Sequence, residues 1–179
     1  GRILGFDWRD LQGLGAVSVY PRSSTVEAIS ALRVVGAPYR FAHARARVDC
    51  ALQNKVPTGQ YRAVGAPIGC AVTERLVEKA ARARGEDPWA FRARNLLRVE
   101  EMPTVNGFGA ALHGLHHHAA LEKARALMDL PALRVEIAAG RAAGRLLGLG
   151  LAVTVEFTAS GPAIYGAAGV PVAATDTVV

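Results

Sequence analysis

Cysteine is scarce in this chain of 179 residues: Cys50 and Cys70 are the only two. With no C-x-x-C pair and no disulfide framework, the sequence excludes a cysteine-built zinc or iron–sulfur site of its own and suits a reducing compartment. Aromatic residues make up only 6%, too few for the stacking surface that single-stranded nucleic acid needs. Long apolar runs are also missing. The longest, Leu146–Val155, is broken by Gly148 and Gly150 and closed by Glu156, too short to span a bilayer as a helix. Gly1-Arg2-Ile3-Leu4 has none of the parts of a secretory signal, so the expectation is a cytoplasmic protein with no membrane span.

What remains is a globular composition, 51% apolar and 20% charged, at a length typical of one domain. Lys and Arg outnumber Asp and Glu by 21 to 15, for a net charge of +6. That balance favours anionic partners in general.

Hydrophobic periodicity outlines the elements. Leu4, Phe6 and Trp8 alternate with Gly5, Asp7 and Arg9, which predicts a strand followed by a turn at Asp10–Gly15 and a second short strand at Ala16–Tyr20 that Pro21 stops. Ser24-x-x-Glu27 reads as a capping box opening a helix over about Thr25–Val35. A third strand places Ala44, Ala46, Val48, Cys50 and Leu52 on a buried face and His43, Arg45, Arg47 and Asp49 on a wet one. A helix from Pro67 to Gly85 carries an apolar stripe of Ile68, Val72, Leu76 and Ala80, backed by Val77 and Ala81, with Glu74, Arg75, Glu78, Lys79 and Arg82 turned away. Asp87-Pro88 caps a second helix to about Leu97; Glu100–His113 is a loop. Helices follow at about His116–Asp129 and from Pro131, fraying at Gly140–Gly144. The strongest strand signal is last: Leu147, Leu149, Leu151, Val153, Val155 and Phe157 alternate with small or polar residues, ahead of a Gly-rich loop at Ser160–Gly169 and a strand still running at Val179. Strands and helices mix without regular βαβ alternation, so the expected class is α+β. The chain divides into a strand-rich part with one helix (1–66), a helical part (67–143) and a strand with a Gly-rich loop (144–179). Both ends fall inside periodic elements, the pattern expected of an internal fragment.

The most informative stretch is Asn54–Pro67, where Arg62 and two glycines precede the positive end of a helix. Helix-terminal N–H groups and a guanidinium together suit an anion. By pattern alone an ordinary turn, with Arg62 solvated or paired locally, is the better reading of the two.

Asn54-Lys55-x-Pro57-x-Gly59-x-Tyr61-Arg62-x-x-Gly65, then Thr73-Glu74-Arg75-Leu76-Val77, Asp87-Pro88 and Arg94-Asn95-Leu96, resembles the molybdenum-binding large subunit of the molybdenum hydroxylases. That is the xanthine dehydrogenase and aldehyde oxidase family, which includes aerobic carbon monoxide dehydrogenases. Gly36-Ala37-Pro38-Tyr39-Arg40, Arg45-Ala46-Arg47, Met102-Pro103 and Gly144-Arg145 through Gly150 extend the resemblance in order along nearly the whole chain. It implies a molybdenum held by molybdopterin, in bacteria often as the cytosine dinucleotide, and 2Fe-2S and FAD in partner subunits or domains. It implies oxidation of an aldehyde or N-heterocycle, a small-molecule substrate, with oxygen from water. Tyr61, Arg62 and Gly65 match cofactor-supporting positions, Val64 the neighbourhood of a substrate-stacking aromatic, and Ser160 and Gly161 the substrate funnel. Ala63 stands where the carbon monoxide enzymes carry a copper-binding Cys, which disfavours that substrate. The family's catalytic Glu belongs to a region outside these residues, so no catalytic residue is expected within the chain.

Other features read more plainly. Glu156 suits an ordinary carboxylate better than a substitute base, and Cys70 a small core residue. His113, His116, His117 and His118 lack the Glu that completes a helical zinc site, and Gly114 interrupts the helix, so no metal site is expected. The basic residues between Arg75 and Arg98 interleave with Glu74, Glu78, Glu86 and Asp87, the pattern of a solvated face or subunit contact and not of a nucleic-acid surface. A noncatalytic anion-binding or assembly module that keeps the scaffold without the metal is the alternative function.

Overall fold

The computed structural model describes residues 1–19 and 23–156. The loop at 160–169, the terminal strand and the site candidates Ser160 and Gly161 lie outside the described residues, as do Tyr20 and Pro21.

Strand β1 (Gly5–Leu14) pairs in parallel with β2 (His43–Leu52), Trp8 opposite Ala46 and Leu14 opposite Leu52. Helix α1 (Val26–Val34) connects them, giving one βαβ unit inside an α+β fold. The expected turn at Asp10–Gly15 gives way to a strand that continues to Leu14, and residues 16–19 of the expected second strand join no strand. Pairing with all ten residues of β2 satisfies the backbone through Leu14 and outweighs the local turn preference of Gly13 and Gly15. Alternation along β1 is real: Trp8, packed under α1, and Leu14 are buried, while Gly5, Asp7, Arg9 and Leu11 are exposed.

The capping box does not form. Thr25 is the N-cap and makes no side-chain cap. The Ser24 hydroxyl instead accepts from Val19 N at 3.1 Å and donates to Thr58 O at 2.6 Å.

Helix α2 (Ala66–Ala83) begins and ends as its sequence predicts, but a different face is inward. Ala66, Gly69, Cys70, Thr73, Glu74, Val77 and Ala81 are buried, whereas Ile68, Val72 and Leu76 are 44%, 39% and 48% exposed. The reason is steric. A Cβ on Gly69 would collide with Ala31 O of α1, so the helices cross at the glycine face and only that face can come so close.

Helix α3 (Pro88–Asn95) starts on Asp87, whose carboxylate accepts from Ala90 N at 3.2 Å. The expected loop at 100–113 contains a 3-10 turn (Val99–Glu101) and a two-residue hairpin, β3 (Thr104–Val105) with β4 (Ala111–Leu112). Helices α4 (His117–Ala126) and α5 (Leu130–Ala142) follow, α5 capped by Asp129. The main core gathers Tyr39, Val77, Ala81, Trp89, Phe91, Leu96, Leu121, Leu130 and Val153. A smaller one, under α1, holds Trp8, Ala31 and Val35.

Residues 147–156, expected as the strongest strand, join no ladder among the described residues. Their alternation survives as burial: Val153 and Val155 are buried, Thr154 and Glu156 exposed. The segment is held by side chains instead, with Arg92 Nη2 donating to Leu151 O at 3.0 Å and Cys70 Sγ donating to Val155 O at 3.4 Å. Arg92, expected on a solvated face, is fully buried there.

Candidate cofactor-binding turn

The 54–66 turn is anchored from beneath by residues that precede α1. Ala16 N donates to Lys55 O at 3.4 Å, Ser24 Oγ to Thr58 O at 2.6 Å, and Gln60 Nε2 to Ser23 O at 2.7 Å. Gly15 lies so close to Pro57 that a Cβ there would sit 2.5 Å from its nitrogen. Ser24 and Gln60 were not legible as anchors, because their partners lie more than thirty residues away and no local pattern marks them.

Beyond this anchor the backbone turns tightly into α2. Val64 N donates to Tyr61 O at 3.2 Å and Ala66 N to Ala63 O at 2.9 Å. Ala63 has φ +65° and Gly65 φ +76°, and the left-handed conformation costs a residue such as Ala63 roughly 1 kcal/mol. Gly65 has a packing duty besides its turn: a Cβ would strike Glu27 O and lie 2.6 Å from Ala31 N of α1. It is buried, as is Ala66; Ala63 and Val64 are half-buried.

Tyr61 and Arg62 are exposed, Tyr61 at 88%. The fold therefore groups Tyr61, Arg62, Val64 and Gly65 in one turn, with the first pair outward and the glycine inward. Among the described residues Arg62 forms no ion pair, unlike Arg40 with Glu101 or Arg94 with Glu86. The first turn of α2 holds no acidic residue and no side-chain cap. The Thr58 hydroxyl is buried with no hydrogen-bond partner among the described residues, and the sequence carried no sign of it. A guanidinium without an ion pair among the described residues, next to an acid-free helix start, is the chemistry that suits an anionic, phosphate-bearing group such as a molybdopterin.

The other candidates separate from this turn. His117 Nε2 lies 3.0 Å from Thr154 O and His118 Nε2 3.3 Å from Leu96 O, so both serve the packing of α4. Among the described residues no group of three or more His, Cys, Asp or Glu is placed to hold a metal, and no helix is long and apolar enough to cross a membrane. Burial pushes the Cys70 thiol pKa up, in keeping with an inert core residue.

The model of the molybdopterin cofactor-binding domain matches residues 1–96, which include the whole turn. The chain belongs to that family. The nicotine 6-hydroxylase large subunit of Paenarthrobacter nicotinovorans is 32% identical over 158 residues, covering 87% of this chain and 19% of the relative. The carbon monoxide dehydrogenase large chain of Hydrogenophaga pseudoflava is 29% identical over 167 residues, covering 90% of this chain and 21% of that one. Among solved structures, quinoline 2-oxidoreductase from Pseudomonas putida 86 superposes with a TM-score of 0.85 at 28% identity, over 94% of this chain and 22% of that chain. As a molybdopterin-binding domain sequence, the chain spans about a fifth of the length of the relatives it matches.

Proposed function

We propose that these residues work within the large subunit of a molybdenum-dependent hydroxylase, one that oxidises an N-heterocycle or aldehyde with oxygen from water. The observation that carries this reading is Arg62, an exposed cation without a carboxylate partner among the described residues, on a turn anchored inside the family-matched region. The bound molybdenum–pterin supplies the redox centre. Arg62 would donate charge-assisted hydrogen bonds to that anionic cofactor, Tyr61 would lie on the same exposed side, and Gly65 would support it by letting the turn close against α1. Val64 borders the substrate, and Ser160 and Gly161, outside the described residues, stay assigned to the substrate side by their order in the sequence alone.

Two relatives are named for nicotine and quinoline, both nitrogen heteroaromatics, which favours that substrate class. Ala63 offers no soft ligand for copper, which argues against carbon monoxide. The strand-rich part at 1–66 carries the cofactor turn, the helical part at 67–143 backs it, and the third part, 144–179, contains the substrate-side candidates Ser160 and Gly161. The cofactor is the cytosine dinucleotide form, the electrons leave through iron–sulfur and flavin partners, and the assembly is cytoplasmic.

Elemental mass spectrometry of the natively purified protein, with whatever accompanies it, tests the reading. The expected result is molybdenum in near-equal proportion to the chain. Verified intact chain without molybdenum would overturn it and leave a noncatalytic anion-binding module.

A further inference from the structure

Residues 147–156 hang on side-chain donors from four different helices. Arg141 Nε of α5 donates to Leu147 O at 2.8 Å, Arg92 Nη2 of α3 to Leu151 O at 3.0 Å, His117 Nε2 of α4 to Thr154 O at 3.0 Å and Cys70 Sγ of α2 to Val155 O at 3.4 Å. Among the described residues the backbone of 148–156 makes no backbone–backbone hydrogen bond. The donors, together with the buried Val153 and Val155 side chains, therefore fix the course of the segment.

The donors are not equivalent. Arg92 also holds Glu74 and Glu78 in the core, Arg141 is exposed, and a thiol is a weak donor. His117 is half-buried, and Thr154 O is its one hydrogen-bond partner among the described residues. A carbonyl can only accept, so Nε2 carries the proton. Nδ1 is buried with no partner among the described residues. Buried polar atoms are usually paired, and an apolar side chain of similar bulk would fill the same space with no orphan. Packing alone therefore does not account for a histidine here; the bond to Thr154 does. That carbonyl lies between the buried Val153 and Val155, with the exposed Glu156 just beyond.

We propose that His117 is a positioning residue for the substrate side of the enzyme, its Nε2–H fixing the backbone at Thr154, six residues before the candidate Ser160. This rests on the reading of Ser160 and Gly161 as substrate-side residues of a molybdenum hydroxylase. His117 acts through the backbone it holds, not on the reacting atoms. Its neighbour His118 has a different duty, meeting Leu96 O at the C-cap of α3. The two adjacent rings thus tie α4 to two separate parts of the chain, and only His117 reaches the segment that runs on to Ser160.

The test uses the complete, natively purified enzyme and three variants. His117→Leu keeps bulk and loses the donor, His117→Gln offers an N–H at about the reach of Nε2, and His117→Asn offers one only at that of Nδ1. Molybdenum content and thermal unfolding are measured first, then steady-state kinetics with nicotine, quinoline and benzaldehyde as probes. The parent is expected to oxidise at least one of them. For that probe His117→Leu and His117→Asn should raise KM roughly tenfold and leave kcat within about twofold, because only binding shared by ground and transition states is lost. His117→Gln should return KM close to the parent value. Where His117→Leu does not fold, Asn against Gln makes the same comparison. A KM that ignores the donor, with Gln no better than Asn, would overturn the positioning role, as would variants that lose molybdenum and kcat together. A molybdenum-loaded parent that oxidises none of the three probes defeats the underlying substrate reading instead, so the two failures are told apart.

Discussion

Arg92 Nε donates to Glu74 Oε2 at 2.9 Å inside the main core, with side-chain exposures of 0% and 7%. The same guanidinium reaches Glu78 at 3.0 Å and Leu151 O at 3.0 Å, and the Tyr39 hydroxyl donates to the other Glu74 oxygen. Burial and the Glu74 charge raise the Tyr39 pKa far above its ordinary value, keeping it a neutral donor. This network ties α2, α3, Tyr39 in the connection between α1 and β2, and the 147–156 segment together.

Removing one partner of such a buried pair strands the other's charge. Arg92→Leu or Glu74→Leu is expected to cost about 3–5 kcal/mol in urea unfolding. The double replacement should cost less than either single one, because no unpaired charge remains. Equal or additive losses would show that the network's worth lies in packing.

The α1–α2 crossing depends on two glycines. Gly69→Ala is expected to lower stability by about 1–3 kcal/mol, because the added methyl meets Ala31 O. Gly65→Ala should be worse, since the new side chain meets Glu27 O on a residue at φ +76°. Thermal unfolding of both variants checks the order.

Arg62 is exposed and carries no ion pair among the described residues. Arg62→Ala should therefore leave folding within about 0.5 kcal/mol of the parent. Turnover of the assembled enzyme should nonetheless fall severely, with Arg62→Lys recovering little because a point charge does not replace a planar fork. Normal turnover in the alanine variant would remove the cofactor role.

Glu101 is paired with Arg40 and accepts from Arg98 N at 2.8 Å, and the Arg40 hydrogen bond first of all brings its pKa down to about 2. A carboxylate depressed on folding stabilises above its unfolded pKa and loses that stabilisation as pH falls through the folded value. Its contribution is thus complete above about pH 4.5 and vanishes toward pH 2. Both side chains are largely solvated, so the effect is small. Glu101→Gln should flatten the acid limb of a stability–pH curve in that window and leave the neutral region nearly parallel to the parent.

Features set by neighbouring residues were legible without coordinates. Asp87-Pro88 opens α3, Pro67 and Gly85 bracket α2, and Glu78 meets Arg82 at 3.0 Å one turn on, since caps, proline geometry and i, i+4 spacing act within a turn or two. The Tyr61-Arg62 turn was legible as a motif for the same reason, and the family match takes in all of it.

What the chain order could not determine was which surface meets which. On α2 the apolar stripe of Ile68, Val72 and Leu76 is left half-exposed, while Gly69, Thr73 and the charged Glu74 turn inward. Hydropathy ranks residues by their own transfer cost; close approach depends on missing atoms, and a buried charge depends on a partner elsewhere in the fold. Gly69 supplies the first through Ala31, thirty-eight residues earlier, and Arg92 the second, eighteen residues later. The amino-acid order thus determined where α2 and α3 start and carried the Tyr61-Arg62 motif that the family match takes in. Tertiary structure decided which faces are buried, because contact and charge compensation belong to pairs of residues the chain brings together only by folding.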